Sequence, residues 1–119
     1  MHLTDKHGVT YQVRQRRDTM GETEYLVMHG KRIIAVAELP HEYARYVSNV
    51  FVDGEFRRRG IASALYDLIE HLHGIELRPS HLLLTDGELF WLARDPDVLS
   101  SSRYSVISEP PRADVLARP

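Results

Sequence analysis

The sequence predicts an α+β domain built on a mixed sheet, and three observations carry that prediction. Short apolar, partly alternating runs fill residues 9–52. From Gly60 the apolar period changes to the three- and four-residue steps of an amphipathic helix. A further short apolar run and a second helical stretch follow. The order is thus a block of strands, a helix, a strand, a helix and a short last strand, not alternating βα units.

Taken in order, V-T-Y-Q-V-R-Q-R-R (9–17) alternates in part and reads as a strand, and D-T-M-G-E-T (18–23) as a turn. E-Y-L-V-M (24–28) and R-I-I-A-V-A-E-L (32–39) are strands joined through His29-Gly30-Lys31, a hairpin signal because glycine accepts positive φ. Pro40 ends the second of them, since it cannot donate to a ladder. R-Y-V-S-N-V-F-V (45–52) reads as a fourth strand, stopped by Asp53-Gly54. Ile61, Leu65, Leu68, Ile69 and Leu72 form a helical stripe that closes at Gly74, a C-terminal cap. After Arg78-Pro79-Ser80, H-L-L-L (81–84) is a strand, and Thr85 or Asp86 caps a helix running to about Arg94. From Asp95 onward the chain reads as a tail carrying a strand-like Y-S-V-I, with residues from about 107 to 119 only partly ordered.

The 119 residues suit one domain spanning 1–119. With 43% hydrophobic and 27% charged residues, the chain has the balance of a folded protein and not of a disordered one. The absence of cysteine excludes disulfides, thiol nucleophiles and cysteine-bound zinc, and suits a reducing cytosol. M-H-L-T-D-K-H-G has no apolar signal-peptide core, and no segment approaches the ~18 apolar residues of a membrane span. The expectation is a cytoplasmic domain with no membrane partner. A net charge of −2 weighs against nucleic acid. The basic residues are nonetheless clustered, at Arg14, Arg16 and Arg17 and again at Arg57, Arg58 and Arg59.

The second cluster opens the stretch of greatest chemical interest, V-D-G-E-F-R-R-R-G-I-A-S-A-L (52–65). A helix start leaves backbone N–H groups unpaired, with the positive end of the helix dipole beside them. Glycine at the entry lets a ligand come close, so a strand–turn–helix of this kind can hold a phosphate or pyrophosphate. Arg59, Gly60, Ile61, Ala62 and Ser63 would supply the N–H groups, and the arginines would offset the charge. A solvated charged turn with no ligand is the competing reading.

Residues 50–65 resemble the acetyl-CoA motif of the GNAT N-acetyltransferases. The family pattern runs from an apolar strand through V-x-P-x-Y/F-R to R/Q-x-x-G-x-G/A and a helix. Arg57, Gly60 and Ala62 stand at its key places and Phe56 at its aromatic one. The hairpin Y-L-V-M-H-G-K-R-I-I-A-V-A-E-L is similar to a hairpin of the same fold, so the resemblance covers roughly residues 24–73. It implies a GNAT-like, mostly antiparallel mixed sheet with a splayed central strand and flanking helices. It also implies acetyl-CoA as co-substrate, with no metal. The pantetheine arm would lie along Val50, Phe51 and Val52, and the pyrophosphate on Arg57, Arg58, Arg59, Gly60, Ile61, Ala62 and Ser63. The acceptor would be an amine, on a protein lysine, an N-terminus or a small molecule, and a homodimer could complete the cleft. The chain also departs from the family. Residues 18–23 are too few for the usual helices between the first two strands, and Gly54 replaces the proline. In T-D-G-E-L-F-W-L-A-R-D, with Asp86 at the asparagine place, Ala93 stands where a tyrosine protonates the departing thiolate.

Acetyl transfer to an amine needs a base, backbone donors for the carbonyl and an acid for the thiolate. Glu38, at the end of its strand, is the candidate base through water, against the alternative of a solvent-facing charge. Tyr46 and Asn49 could face the cleft or merely pack. Tyr104, the only late tyrosine, is the candidate acid. His71 and His73, two apart, fall on different faces of a helix, which argues against metal ligation. Trp91 reads as core. The function expected is an acetyl-CoA-dependent N-acetyltransferase; the alternative is a GNAT-shaped module that binds CoA or a protein without turnover.

Overall fold

A computed structural model describes residues 1–107, which fall into two compact units, Met1–Leu77 and the residues from Arg78 onward. The tail expected beyond residue 107 lies outside the described residues. The first unit holds β1 (His2–Thr4), β2 (Thr10–Arg17), β3 (Thr23–His29), β4 (Arg32–Leu39) and β5 (Asn49–Val52), followed by a 3-10 turn (Gly54–Phe56) and α1 (Ile61–His73). Its five strands pair in chain order, every neighbour antiparallel, with β5 at one edge. The second unit holds β6 (Leu82–Leu84), α2 (Thr85–Arg94), α3 (Pro96–Ser100) and β7 (Ser105–Ile107), with β6 and β7 paired in parallel. The chain is thus α+β with a mostly antiparallel sheet, as the sequence predicts. Among the described residues, no helix is long and apolar enough to cross a membrane.

Register decides which residues form the core of the first unit. Val13 faces Val27, Val27 faces Ala35, and Tyr25 faces Ala37 across the strands, so alternation puts all of them on one face. Between Val27 and Met28 the register shifts, which leaves Ile34 as an extra residue on β4. Ile34 and Ala35 are both wholly buried, a break in alternation that the bulge explains. The face carrying Tyr25 meets α1, because the Tyr25 hydroxyl hydrogen-bonds the ring Nε2 of His73 at the last turn of that helix. α1 buries Ile61, Leu65, Tyr66 and Ile69. Each of the aliphatic side chains among them is worth about 1.5–3 kcal/mol when removed from water. Leu68 is half-buried and Leu72 is 44% exposed, so the apolar stripe is rotated toward Tyr66 relative to the expected one.

Several elements differ from the sequence reading. The strand expected over 45–52 forms only over Asn49–Val52. Ahead of it, both the N–H and the hydroxyl of Ser48 are spent on the Glu38 carbonyl, at 2.9 and 3.1 Å. β1 was not expected, because three residues carry no periodicity; it forms by pairing Leu3 with Tyr11. α2 begins at Thr85 with Leu84 at the N-cap, so neither Thr85 nor Asp86 caps it. The expected tail after Asp95 instead contains α3, where Asp95 Oδ1 accepts from Val98 N–H at 3.1 Å and Pro96 fills the first turn.

The β1–β2 connection is organised by a buried carboxylate. Asp5 accepts hydrogen bonds from the backbone N–H groups of His7 (2.9 Å) and Val9 (3.0 Å) and from the Tyr11 hydroxyl (2.9 Å). Burial acts to raise its pKa, but the Val9, Tyr11 and His7 bonds outweigh it and hold the group below the ordinary carboxylate value. A carboxylate whose pKa falls on folding contributes stability above the unfolded-state value, and that contribution is lost as pH drops through the folded value. Asp5→Asn should therefore lower Tm at pH 7, and the gap to the parent protein should close below about pH 4, near the ordinary carboxylate value. Thermal melts followed by circular dichroism across pH 2–8 test this; a gap that stays constant with pH would overturn it.

Candidate functional site

The site is built where β5 reverses into α1. Asp53 begins the reversal: its Oδ1 accepts from Glu55 N–H at 3.0 Å, and its Oδ2 from Arg32 Nη2 at 2.6 Å. The Glu55 N–H first and Arg32 second lower the Asp53 pKa, which keeps the anchor charged. The 3-10 turn then inserts Phe56 into the core, its ring 5.1 Å from that of His29 and 6.2 Å, edge-on, from that of Tyr11. The guanidinium groups of Arg32 and Arg59 lie over this ring at 5.8 and 5.6 Å. Phe56 therefore serves both as a plug in the core and as a surface for two cations.

The next four residues form the loop proper. Arg57 is extended and folds its Nε back onto the Val52 carbonyl at 3.0 Å, closing the turn on itself. Arg58 has φ +62°, the one non-glycine residue with positive φ among the described residues, and Gly60 has φ +75°. Between them, the Arg59 carbonyl accepts from Lys6 N–H at 2.9 Å, and Arg59 Nη1 approaches Asp5 Oδ2 at 4.0 Å. Gly60 is the N-cap of α1 and no side chain caps the helix; the first bond of the ladder runs from Ala64 N–H to the Gly60 carbonyl at 3.0 Å. The N–H groups of Ile61 and Ala62 therefore have no acceptor within the helix, and the positive end of its dipole is beside them. Gly60 and Arg58 are exposed, so a ligand can reach this backbone. Left-handed residues, an uncapped helix start and a cationic rim suit a polyanion. This donor chemistry fits the diphosphate of CoA.

The remaining candidates are placed as follows. Val50, Phe51 and Val52 are half-buried on β5, opposite Ala37, Val36 and Ala35. Glu38 is half-buried, opposite Asn49 on β5 and Glu24 on β3, and alternation from Ala37 turns it to the face away from α1. Glu24 in turn receives Arg16 Nη2 at 3.0 and 3.2 Å. Asn49 is exposed, and Tyr46 packs edge-on against His41, with ring centroids 6.5 Å apart. His71 is exposed, whereas His73 is engaged by Tyr25. In the second unit, Tyr104 donates its hydroxyl to Glu88 Oε2 at 2.8 Å. That bond, with some burial, raises its pKa, so the phenol keeps its proton at neutral pH. Trp91 is 3% exposed and stacks edge-on with Phe90, a core residue as expected.

Sequence reasoning missed Asp5 and Lys6, which brace the loop from the β1–β2 turn, and Tyr11 on β2, whose hydroxyl holds Asp5. The one signal for the first two was the turn pattern D-K-H-G, with aspartate first and glycine last.

Gly60→Ala should cost about 1 kcal/mol, the penalty for a Cβ in left-handed backbone. The added carbon would meet Lys6 Cβ at an ordinary 3.7 Å, so crowding adds nothing. Urea unfolding measures this, and a neutral result would overturn the backbone assignment.

Compared with models of known families, residues 5–84 match the acetyltransferase (GNAT) domain. No curated protein and no solved structure matches the chain.

Proposed function

The chain belongs to the acetyltransferase (GNAT) family, its matched span covering more than half of the 119 residues, and on that premise we propose that it moves an acetyl group from acetyl-CoA to an amine. The observation that carries this reading is the exposed, uncapped start of α1 behind the left-handed residues Arg58 and Gly60. Bound acetyl-CoA would supply the acetyl thioester. Arg57, Arg58 and Arg59 would offset its phosphate charge, while the backbone N–H groups from Arg59 to Ser63 would cradle the diphosphate. Val50, Phe51 and Val52, on an edge strand, would line the pantetheine arm and leave backbone donors for the acetyl carbonyl. Glu38 would take the amine proton through water as the C–N bond forms. Tyr104, protonated at neutral pH, would give its proton to sulfur as the C–S bond breaks. The match runs through the boundary at Leu77 to residue 84, which supports treating both units as parts of one domain.

A CoA-binding module without turnover is the second reading. It is favoured by Ala93 at the place of the family tyrosine and by the Tyr104 hydroxyl already given to Glu88.

Isothermal titration with acetyl-CoA and with CoA tests the cofactor step, where Kd below millimolar is expected and no heat with either ligand would end both readings. Mass spectrometry of a lysine peptide, an N-terminal peptide and spermidine, each incubated with acetyl-CoA, separates the two. Added acetyl groups support the transferase; tight CoA binding with none across the panel favours the module. With an acceptor found, Glu38→Gln and Tyr104→Phe should each lower kcat by about 10²–10⁴-fold while acetyl-CoA binding is unchanged. Full activity in either variant removes that residue from the chemistry.

A further inference from the structure

We infer that Lys6, on the β1–β2 turn, is a phosphate ligand of the cofactor, a role that rests on the CoA reading of the 57–60 loop. Lys6 is far from that loop in sequence but adjacent to it in space. Its N–H donates to the Arg59 carbonyl at 2.9 Å. Its Cβ and Cγ lie 3.7 and 3.9 Å from the point where a side chain on Gly60 would begin. The lysine side chain therefore starts from the wall of the loop, beside the residue that leads into the uncapped helix.

Its surroundings leave the ammonium available. Lys6 is exposed, and among the described residues no ion pair engages it. The nearest carboxylate in sequence, Asp5, is wholly buried and already holds two backbone N–H groups and the Tyr11 hydroxyl. Those same bonds fix the turn, and the Lys6 N–H ties that turn to the Arg59 carbonyl. Apart from the exposed Arg58, the cations near the loop are more constrained: Arg32 is tied to Asp53 and Glu55, Arg59 lies over Phe56, and the Arg57 Nε is bound to the Val52 carbonyl. A lysine ammonium on a flexible stem is a compact point charge with three donors, suited to a phosphate whose exact position the rigid loop does not dictate.

The test separates the lysine head group from its backbone. Because the bond to Arg59 uses the Lys6 N–H, Lys6→Met keeps it and removes only the ammonium. Titration calorimetry of the full chain should show Kd for acetyl-CoA rising roughly five- to tenfold in Lys6→Met. Lys6→Arg should restore it to within about twofold, and the thermal unfolding of the unliganded Lys6→Met protein should match the parent. Repeating the titrations with 3′-dephospho-CoA locates the contact. A penalty that persists places Lys6 on the diphosphate, and one that vanishes places it on the 3′-phosphate; either supports the inference. Parent-like affinity of Lys6→Met for both ligands overturns it. If the parent protein binds neither ligand, the CoA reading itself has failed, and the two failures are thereby distinguished.

Discussion

The reversal between β5 and α1 is the constraint on which the candidate site depends. The chain must leave an edge strand, turn, and re-enter as a helix lying against the same sheet, and it does so with two left-handed residues, Arg58 and Gly60. Glycine takes that conformation freely, but Arg58 carries a Cβ and costs on the order of 1 kcal/mol there. The cost is offset by anchors on either side. Phe56 is buried among Tyr11 and His29, Arg32 clamps Asp53 and Glu55, and Lys6 N–H holds the Arg59 carbonyl. Strained backbone persists where its surroundings over-determine it, and such places gather at ligand sites.

Those anchors explain what was legible in the sequence and what was not. The helix Ile61–His73 with its Gly74 cap, the hairpin through Gly30 and the reversal motif are all local signals, readable because period and turn chemistry lie within a short window. The bracing residues are non-local. Asp5 and Lys6 meet Arg59 only because β1 folds back on β2, and β1 is a three-residue strand with no pattern of its own. The fourth predicted strand was too long for a related reason. Tyr46 to Val52 looks apolar enough, yet Ser48 turns both its donors onto Glu38 and pairing starts only at Asn49. A run of apolar residues sets where a strand is allowed, and backbone bonds made elsewhere set where it begins.

Charge is handled in the same economical way. The net charge of −2 conceals a separation of roles among the cations. Arg16 holds Glu24 on the face away from α1, and Arg32 holds the acidic start of the reversal. Neither adds much to stability at such exposed positions, where ion pairs contribute about 0–1 kcal/mol. Their effect is geometric: Arg16 fixes Glu24 across the β2–β3 pair, and Arg32 fixes the two carboxylates that lead into the loop. Arg58 and Lys6 are left facing solvent beside the start of α1.

β5 then acquires a polarity that matters for the proposed transfer. It is four residues long, about 13 Å at the usual strand rise. At its far end lies the arginine loop with the uncapped helix start, a place for phosphate. At its near end Asn49 stands opposite Glu38, the proposed base, whose neighbour Glu24 is already held by Arg16. A donor anchored through its phosphates at one end of the strand would present its other end to the carboxylate pole, where the acceptor amine must lose a proton. The edge position of β5 is what permits this. One side of its backbone is bonded to β4, and no further strand of the five-stranded sheet bonds the other; in the proposed transfer the pantetheine arm would lie along that side. Had a further strand of that sheet covered this edge, the two charged ends would exist without a track between them.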